Sequence, residues 1–281
     1  MKLREVLKVV DAQETSEGAG VLVKRSLGTS ELDHVDPFLL LDEFRSDDAD
    51  DYIAGFPDHP HRGFETVTYM LAGSMQHRDH RGNSGELLPG GVQWMTAGRG
   101  IVHSEMPRQR EGLMWGFQLW VNLPARDKMC EPRYQDIAPS AVPEYTAPGG
   151  VLVRVVAGES GGARGAVQGI ATDPLYLDVG LPAGARFVQP VPSAHNAIAY
   201  VFSGDASLGG ESARPVGEGH LAVLGPGEAV AASAPKGDAR LLLIAGRPLG
   251  EPVARYGPFV MNSREELVAA FRDYQAGTLA G

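Results

Sequence analysis

Short apolar or alternating stretches, separated by glycine and proline, make up most of the pattern along the chain. Four clear examples lie at residues 66–71, 113–121, 151–156 and 240–244. Stretches this short, bounded by turn residues, are typical of β-strands, and many of them in succession favour a sandwich or barrel. With 43% hydrophobic residues, the chain also has enough apolar material for a buried core. The pattern therefore predicts an all-β fold.

One helix is predicted, near the C-terminus. Ser263 precedes residues 264–274, and Glu266 follows it by three positions, which is the spacing of a capping box. The apolar side chains of this stretch recur at helical spacing, at Leu267, Ala270, Phe271 and Tyr274. We expect a short helix that packs through this face.

A weak internal repeat divides the chain in two. Residues 69–73 (YMLAG) are echoed at 200–204 (YVFSG), an offset of 131 positions. Residues 131–150 contain four prolines and few apolar side chains, as expected of a linker. We therefore expect tandem β domains, one formed by residues 1–135 and the other by residues 136–281.

The charge balance and the cysteine count exclude several classes of protein. The chain has 35 acidic and 25 basic residues, a net charge of −10, whereas nucleic-acid binding needs a basic surface. Cys130 is the one cysteine, so neither an internal disulfide nor a thiolate zinc site is available. Residues 1–8 lack the apolar core of a signal peptide, and no run of about 18 apolar residues is present. We expect a cytoplasmic protein that binds neither nucleic acid nor membrane directly.

The histidines are concentrated in one part of the chain and indicate a metal site. Five of the eight lie within residues 59–103. In an extended strand alternate side chains share a face, so His59 with His61, and His103 with Glu105, each present a pair in one direction. If the two segments lie on neighbouring strands, three imidazoles and a carboxylate converge. This donor set suits a divalent transition metal such as iron, manganese, nickel, copper or zinc.

The other candidate residues have simpler interpretations. His77 and His80 lie in a polar run that is typical of a hairpin loop, so we expect both at the surface. Ser104 falls on the strand face opposite His103, which argues against a Ser–His catalytic pair. Ordinary structural or exposed positions are expected for His34, His195 and His220, and packing or turn positions for Trp94, Met95 and Arg99.

Two longer blocks of sequence resemble the pirin family of bicupins. They are residues 59–69 (HPHRGFETVTY) and residues 95–105 (MTAGRGIVHSE). Further matches at residues 36–42, 83–85 and 256–262 extend the similarity over nearly the whole chain. The resemblance implies two tandem cupin β-barrels with a short C-terminal helix.

The resemblance also implies one divalent metal ion in the N-terminal barrel. Its ligands, carried over by motif, are His59, His61, His103 and Glu105. Fe(II) is the expected ion, with Mn, Ni, Cu, Co or Zn as alternatives. Glu65 stands where many cupins have a carboxylate ligand, but in pirins that role looks to have passed to Glu105. We therefore expect Glu65 either to contact the ligands or to have a structural role, rather than to bind the metal.

The C-terminal half departs from the pattern of metal-binding cupins. The residues found 131 positions after His59, His61, Glu65 and His103 are Pro190, Pro192, Asn196 and Ala234. None of these four is a good metal ligand. We therefore expect the second barrel to be structural and free of metal.

Some pirins are similar to cupin flavonol dioxygenases that act on quercetin, which implies a function for this chain. The flavonol would bind through its 3-hydroxyl, and Glu105 would serve as both ligand and general base. O2 would then add across C2 and C4 of the heterocycle, with release of carbon monoxide. The expected partners are a flavonol-like molecule and O2, and the protein is expected to be a monomer.

Two other functions stay open at this point. Other pirins resemble metal- and redox-responsive proteins that bind a transcription factor or a metabolic enzyme, so a non-catalytic regulator is the main alternative. Zinc or nickel in the site would instead suit a hydrolase or an isomerase. Turnover of quercetin by the metal-loaded protein separates the dioxygenase from the regulator.

Overall fold

The fold is built almost entirely from β-strands. The computed structural model describes residues 1–280. The N-terminal half contains β1 (Val6–Asp11), β2 (Gln13–Glu17), β3 (Val21–Leu27), β4 (Phe38–Ser46), β5 (Phe56–His61), β6 (Phe64–Ala72), β7 (Met75–Asp79), β8 (Ser84–Leu87), β9 (Val92–Thr96), β10 (Ile101–Pro107), β11 (Met114–Asn122) and β12 (Arg133–Ile137). The C-terminal half contains β13 (Glu144–Ala147), β14 (Val151–Ala157), β15 (Glu159–Ser160), β16 (Ala163–Arg164), β17 (Leu175–Leu181), β18 (Arg186–Pro190), β19 (Asn196–Ser203), β20 (Ala206–Leu208), β21 (Arg214–Val216), β22 (His220–Leu224), β23 (Ala229–Ser233), β24 (Ala239–Gly246), β25 (Ala254–Tyr256), β26 (Phe259–Met261) and the helix α1 (Arg264–Gln275). Single turns of 3-10 helix lie at Ala49–Asp51, Ala125–Asp127, Pro139–Ala141 and Pro148–Gly150.

The predicted all-β class is confirmed. The four stretches predicted as strands coincide with β6, β11, β14 and β24, with one or two residues of difference at their ends. In β14, Val151, Val153 and Val155 are buried while Leu152 between them is exposed. This alternation places one face of the strand in the apolar core and the other in solvent, as the sequence pattern predicts.

The internal repeat marks equivalent strands in two similar pairs of sheets. One seven-stranded sheet has the order β12-β9-β6-β11-β4-β3-β2, and the other has the order β1-β22-β19-β24-β17-β14-β13. The first is accompanied by a four-stranded sheet of order β5-β10-β7-β8, and the second by one of order β18-β23-β20-β21. The first four repeated residues lie in β6 and β19, the third strand of each large sheet. The fifth, Gly73 or Gly204, has a positive φ of 74° or 67°, so the repeat also preserves a turn that favours glycine.

The chain folds into two compact units, each made of several segments. The N-terminal barrel unit contains residues 14–25, 38–140 and the segment from Leu249 onward, and the C-terminal barrel unit contains residues 1–13, 26–37 and 141–248. Strand β1 lies in the C-terminal barrel unit because it pairs with β22. Helix α1 lies in the N-terminal barrel unit, where it packs on β25 and β26. The units thus differ from a simple division at residue 135: residues 1–13 and 26–37 belong to the C-terminal barrel unit, and residues 136–140 and the segment from Leu249 onward belong to the N-terminal one.

The proline-rich stretch at residues 131–150 is not a free linker, although the boundary between the units falls within it. β12 lies in this stretch and pairs with β9, and β13 lies in it and pairs with β14. Both strands add to the edge of a sheet, where backbone N–H and C=O groups would otherwise lack partners. The predicted linker therefore contains both the boundary between the units and two edge strands, beside which prolines are tolerated.

Helix α1 begins and packs as predicted. The Ser263 hydroxyl accepts a hydrogen bond from the backbone N–H of Glu266 at 3.2 Å, and the Glu266 carboxylate accepts one from the backbone N–H of Ser263 at 3.0 Å. Phe271 packs edge-on against Phe259 of β26, with ring centroids 4.8 Å apart. Among residues 1–280 no helix is both long enough and apolar enough to cross a membrane.

We expect Ser263→Ala to loosen α1. Loss of an N-cap hydroxyl typically costs about 1 kcal/mol, which corresponds to roughly fivefold faster amide hydrogen exchange within the helix. Mass-spectrometric hydrogen exchange of the full-length protein measures this change, with Ser212→Ala at an exposed turn position as the control. Equal protection of α1 in the two variants would contradict the assigned cap.

Candidate metal centre

The four predicted ligands lie on two neighbouring antiparallel strands. β5 pairs with β10, and their register places His103 directly opposite His59. Directly opposed residues have their side chains on the same face of a sheet, and His61 shares the face of His59 because it lies two positions further along β5. The register shifts between His103 and Glu105, so β10 is irregular at this point.

The three imidazoles converge. One ring nitrogen from each of His59, His61 and His103 lies within 4.8 Å of those from the other two. The ring centroid of His103 is 4.5 Å from that of His59 and 5.1 Å from that of His61. Glu105 lies beside this group rather than within it, with its Oε2 4.0 Å from His103 Nε2. The structure therefore brings three of the four predicted ligands together and leaves the carboxylate next to them.

Burial favours the neutral form of two of these imidazoles. His61 is 3% exposed and His103 is 0% exposed. Burial holds the pKa of each well below its ordinary value, and the neighbouring His59 lowers both further. A neutral imidazole keeps a lone pair on one ring nitrogen, which is the form that binds metal ions.

The ring nitrogens fit a metal ion because they lack other partners. No ring nitrogen of His61 or His103 makes a well-formed hydrogen bond within residues 1–280, although the Pro258 carbonyl is close enough to His61 to oppose the fall in its pKa. His59 Nδ1 lies 2.8 Å from the Pro57 carbonyl oxygen, so Nδ1 donates and Nε2 keeps the lone pair. Buried polar atoms without partners are costly. A divalent cation bound by the three imidazoles would satisfy them.

Two polar side chains orient Glu105. The Thr68 hydroxyl donates to its Oε1 at 3.0 Å, and Gln118 Nε2 donates to its Oε2 at 3.4 Å. Thr68 and Gln118 face each other across β6 and β11. Because Glu105 is only 5% exposed, these two contacts hold the carboxylate beside the imidazoles.

A cavity of about 600 Å³ reaches the imidazole cluster. Its lining includes His59, His61, Glu105 and Gln118, whereas His103 is fully buried. The apolar part of the lining is formed by Val23, Leu40, Phe44, Phe56 and Trp120. A cavity of this size, lined by apolar and aromatic side chains together with polar groups, is typical of a site for a small organic molecule.

One part of the cavity lining carries a network of charges. Arg25 donates two hydrogen bonds to Asp42, at 2.8 and 2.6 Å, and its guanidinium lies 2.7 Å from a carboxylate oxygen of Glu17. Burial raises the pKa of Asp42, although the Arg25 guanidinium opposes this effect. Arg255 lies over Trp120, with its guanidinium carbon 5.0 Å from the ring centroid. These pairs fix the positions of two arginines beside the aromatic part of the lining.

Comparison with known proteins identifies the family. The pirin family model matches residues 20–121, and the model of the pirin C-terminal cupin domain matches residues 176–280. The chain belongs to the pirin family. It is 52% identical over 278 residues to a pirin-like protein of Caulobacter vibrioides, which covers 99% of both chains. It is 46% identical over 276 residues to human pirin, which covers 97% of this chain and 92% of the human one.

The solved structures agree with this assignment. A crystal structure of quercetin 2,3-dioxygenase from Acinetobacter baumannii has a TM-score of 0.90 and 32% sequence identity, and the match covers 99% of each chain. A crystal structure of a Geobacillus kaustophilus protein has a TM-score of 0.78 and 33% identity, and covers 90% of this pirin and all of that chain. The predicted family and the predicted tandem cupin fold are thus confirmed.

The prediction that His77 lies at the surface is wrong. His77 is on β7 and is 4% exposed. Its ring packs against Tyr134, with centroids 5.1 Å apart, and its Nε2 lies 3.5 Å from a carboxylate oxygen of Asp136. The alternation of Met75 and His77 with more polar residues was the available signal, and it indicates a strand. His80 is in the turn and exposed, as expected.

Other residues of this pirin fall where the sequence predicts. Trp94 and Met95 are fully buried on β9 and serve in packing, and Arg99 pairs with Glu131 at 3.1 Å near a turn. His34 is exposed. Structural contacts account for the two other isolated histidines, His195 and His220, whose Nε2 atoms lie 3.5 and 2.9 Å from carboxylates.

Glu65 lies on the opposite face of β6 from Thr68, the residue that contacts Glu105, because the two positions differ by an odd number. It is 2% exposed and accepts a hydrogen bond of 2.7 Å from the Thr96 hydroxyl. Burial raises the pKa of Glu65 to about 7, although the hydrogen bond from Thr96 opposes the shift. The carboxyl group is thus part of the barrel packing and titrates near neutral pH.

We expect Glu65→Gln to remove a pH dependence of stability. The folded-state pKa of about 7 is above the ordinary 4.5, so the native state binds the proton more tightly and loses stability as the pH rises between these values. Between pH 5 and pH 8 the free energy of unfolding of the wild type should fall by about 2 to 3 kcal/mol more than that of the variant. Urea unfolding followed by tryptophan fluorescence measures this, because Trp94, Trp115 and Trp120 all lie in the N-terminal barrel unit.

The matched control is Glu86→Gln on β8, where the side chain is exposed. It should follow the wild type at both pH values. Parallel stability curves for Glu65→Gln and the wild type would contradict a raised pKa at Glu65.

Proposed function

We propose that this pirin is a metal-dependent dioxygenase that opens the heterocycle of a flavonol such as quercetin with O2 and releases carbon monoxide. The observation that carries the proposal is the cluster of three imidazoles and one carboxylate next to a cavity of about 600 Å³ lined by both aromatic and charged side chains. The relative of known structure that bears the name quercetin 2,3-dioxygenase supports it, since it is 32% identical over 99% of the chain.

In this proposal His59, His61 and His103 hold the metal ion, with Glu105 as a fourth ligand when the site is filled. Fe(II) is the ion we propose, and Mn, Ni, Cu, Co and Zn suit the same donors. A bound divalent ion would supply Lewis-acid and redox chemistry for the flavonol and O2. The neutral state of His61 and His103 favours binding, because neither ring has to lose a proton first.

Glu105 is the general base in this proposal and takes the proton of the flavonol 3-hydroxyl. Its two neighbours support the role, since Thr68 and Gln118 hold the carboxylate in place without supplying a full positive charge. Glu105 also lines the cavity and is therefore accessible to a bound molecule.

The residues that line the cavity suit a planar aromatic substrate. Phe56 and Trp120 add aromatic surface to the lining, and Trp120 is itself packed against His61 at 5.5 Å between ring centroids. Glu17 and Asp58 also line the cavity, and carboxylates can accept hydrogen bonds from hydroxyl groups such as those of a flavonol.

Oxygen uptake with quercetin tests the function. The full-length protein is loaded anaerobically with Fe(II), and O2 consumption and carbon monoxide release are followed together. We expect one carbon monoxide per O2 and a turnover of about one per second or faster. Trace turnover by a fully metallated protein would contradict the dioxygenase and favour the alternative, a metal- or redox-responsive regulator of a transcription factor or metabolic enzyme.

His61→Ala should abolish metal binding and turnover together. Removal of one of three imidazoles leaves too few donors to hold the ion, so we expect bound metal and kcat to fall in the same proportion, by at least about tenfold. Metal analysis after gel filtration and oxygen uptake measure the two quantities. The control His80→Ala, at an exposed turn position, should match the wild type, and turnover that survives metal loss would refute the mechanism.

Glu105→Gln should separate base catalysis from metal binding. The three imidazoles remain, so we expect most of the metal to be retained, while kcat falls by about 10² to 10⁴ through loss of the base. Metal content and kcat are measured on the same sample. Metal loss as severe as in His61→Ala would assign Glu105 to metal binding alone.

A further inference from the structure

Arg62, the residue after His61, is buried and bonded mainly to the C-terminal segment. It is 4% exposed. Its guanidinium donates to a carboxylate oxygen of Asp273 at 2.7 Å, to the Leu279 carbonyl oxygen at 3.1 Å and to the carbonyl oxygen of Arg99. Asp273 is the one carboxylate among these three acceptors, so it alone supplies a negative charge to balance the positive charge of Arg62.

The backbone around Arg62 is also fixed by this segment. The Arg62 carbonyl oxygen accepts a hydrogen bond from the Val260 N–H at 3.0 Å, and the Arg62 N–H donates to the Pro258 carbonyl oxygen at 3.4 Å. Gly63 follows with a φ of 87°, and a Cβ added there would overlap the Val260 carbonyl oxygen. The chain immediately after His61 therefore has no room to move toward β26.

Lys128 fixes the same turn through separate contacts. Its ammonium group is buried and donates to the carbonyl oxygens of Gly63 and Val260 and to Asn122 Oδ1, at 2.8, 3.0 and 2.7 Å. It thereby joins the turn that follows His61 to β26 and to β11. The ends of β5 and β26 are thus cross-linked by two buried cations, Arg62 and Lys128.

The C-terminal segment also reaches the strand that carries His103. Leu279, Phe259 and Ala270 form an apolar cluster against which Val102 packs, and Val102 is the neighbour of His103 on β10. A Cβ on Gly100, just before this strand, would overlap the Leu279 carbonyl oxygen. One segment therefore contacts the chain beside two of the three imidazoles.

We propose that the segment formed by residues 254–280, called the clamp here, sets the positions of His61 and His103 for metal binding, and that Arg62 and Asp273 are its positioning residues. The inference rests on the metal centre of the proposed function. Without Asp273 the buried Arg62 guanidinium loses its balancing charge, and a buried charge left unpaired favours rearrangement of the groups around it. Rearrangement at Arg62 displaces His61, to which it is covalently joined.

Co(II) is a suitable probe, because its visible d–d absorption reports the arrangement of the ligands as well as occupancy. Full-length wild type and Asp273→Asn are titrated with Co(II), and apo-protein melting is recorded for each. We expect the Co(II) dissociation constant to rise by about 10- to 100-fold in the variant. At saturation its d–d spectrum should differ from that of the wild type.

Three further variants complete the design. Glu265→Gln removes one carboxylate from an exposed position on the same helix and should leave both readouts unchanged, which controls for net charge. Asp273→Glu keeps the carboxylate and should restore most of the affinity. Arg62→Lys keeps the charge but cannot serve three acceptors in the same geometry, so it should weaken binding as Asp273→Asn does.

The outcomes distinguish the clamp from the proposed function. Wild-type affinity and spectrum in a folded Asp273→Asn or Arg62→Lys variant would overturn the clamp alone. A wild-type protein that binds no Co(II) would overturn the metal centre and the clamp with it. The expected loss of affinity in a protein that does not turn over quercetin would support the clamp and refute the dioxygenase.

Discussion

The pairing of β5 with β10 is the constraint on which the candidate site depends. In this register His103 lies opposite His59, and His61 follows on the same face. A slip of one residue would turn the side chains of one strand to the other face and separate the imidazoles. The neighbouring pairing of β10 with β7, which sets Glu105 opposite His77, holds the register from the other side. The site is thus determined by backbone hydrogen bonds as much as by its side chains.

The interior of the N-terminal barrel unit is unusually polar, and this distinguishes the two barrels. Charged or titratable side chains are buried there at Asp42, Glu43, His61, Arg62, Glu65, His77, His103, Glu105 and Lys128. The core of the C-terminal barrel unit is instead a large cluster of valine, leucine and alanine. Buried polar groups cost stability unless each is paired. The same strand order therefore supports a core with many buried charged groups in the N-terminal barrel unit, and a mainly apolar core with fewer of them, such as Arg4 and Asp178, in the C-terminal one.

Sequence patterns predict the features that depend on near neighbours. Alternation gives β6, β11, β14 and β24, the capping box gives α1, and the spacing of His59, His61 and His103 gives the three converging imidazoles. Contacts between distant segments leave no such pattern. Nothing local to Arg62 indicates that its carboxylate partner is Asp273, 211 positions away. The strands β12 and β13 cannot be predicted from the sequence for a related reason, because each forms by pairing with another strand at the edge of a sheet.

The segmental make-up of the two units has a consequence for the order in which the protein is completed during synthesis. β1 is made long before its partner β22, which follows more than 200 positions later. The imidazoles are all present by residue 103, but Asp273 and Leu279 come some 170 positions after them. At about 5 to 20 residues per second, that interval is roughly 10 to 30 seconds. The nascent N-terminal barrel therefore contains Arg62 well before the ribosome supplies Asp273, the carboxylate that balances its charge.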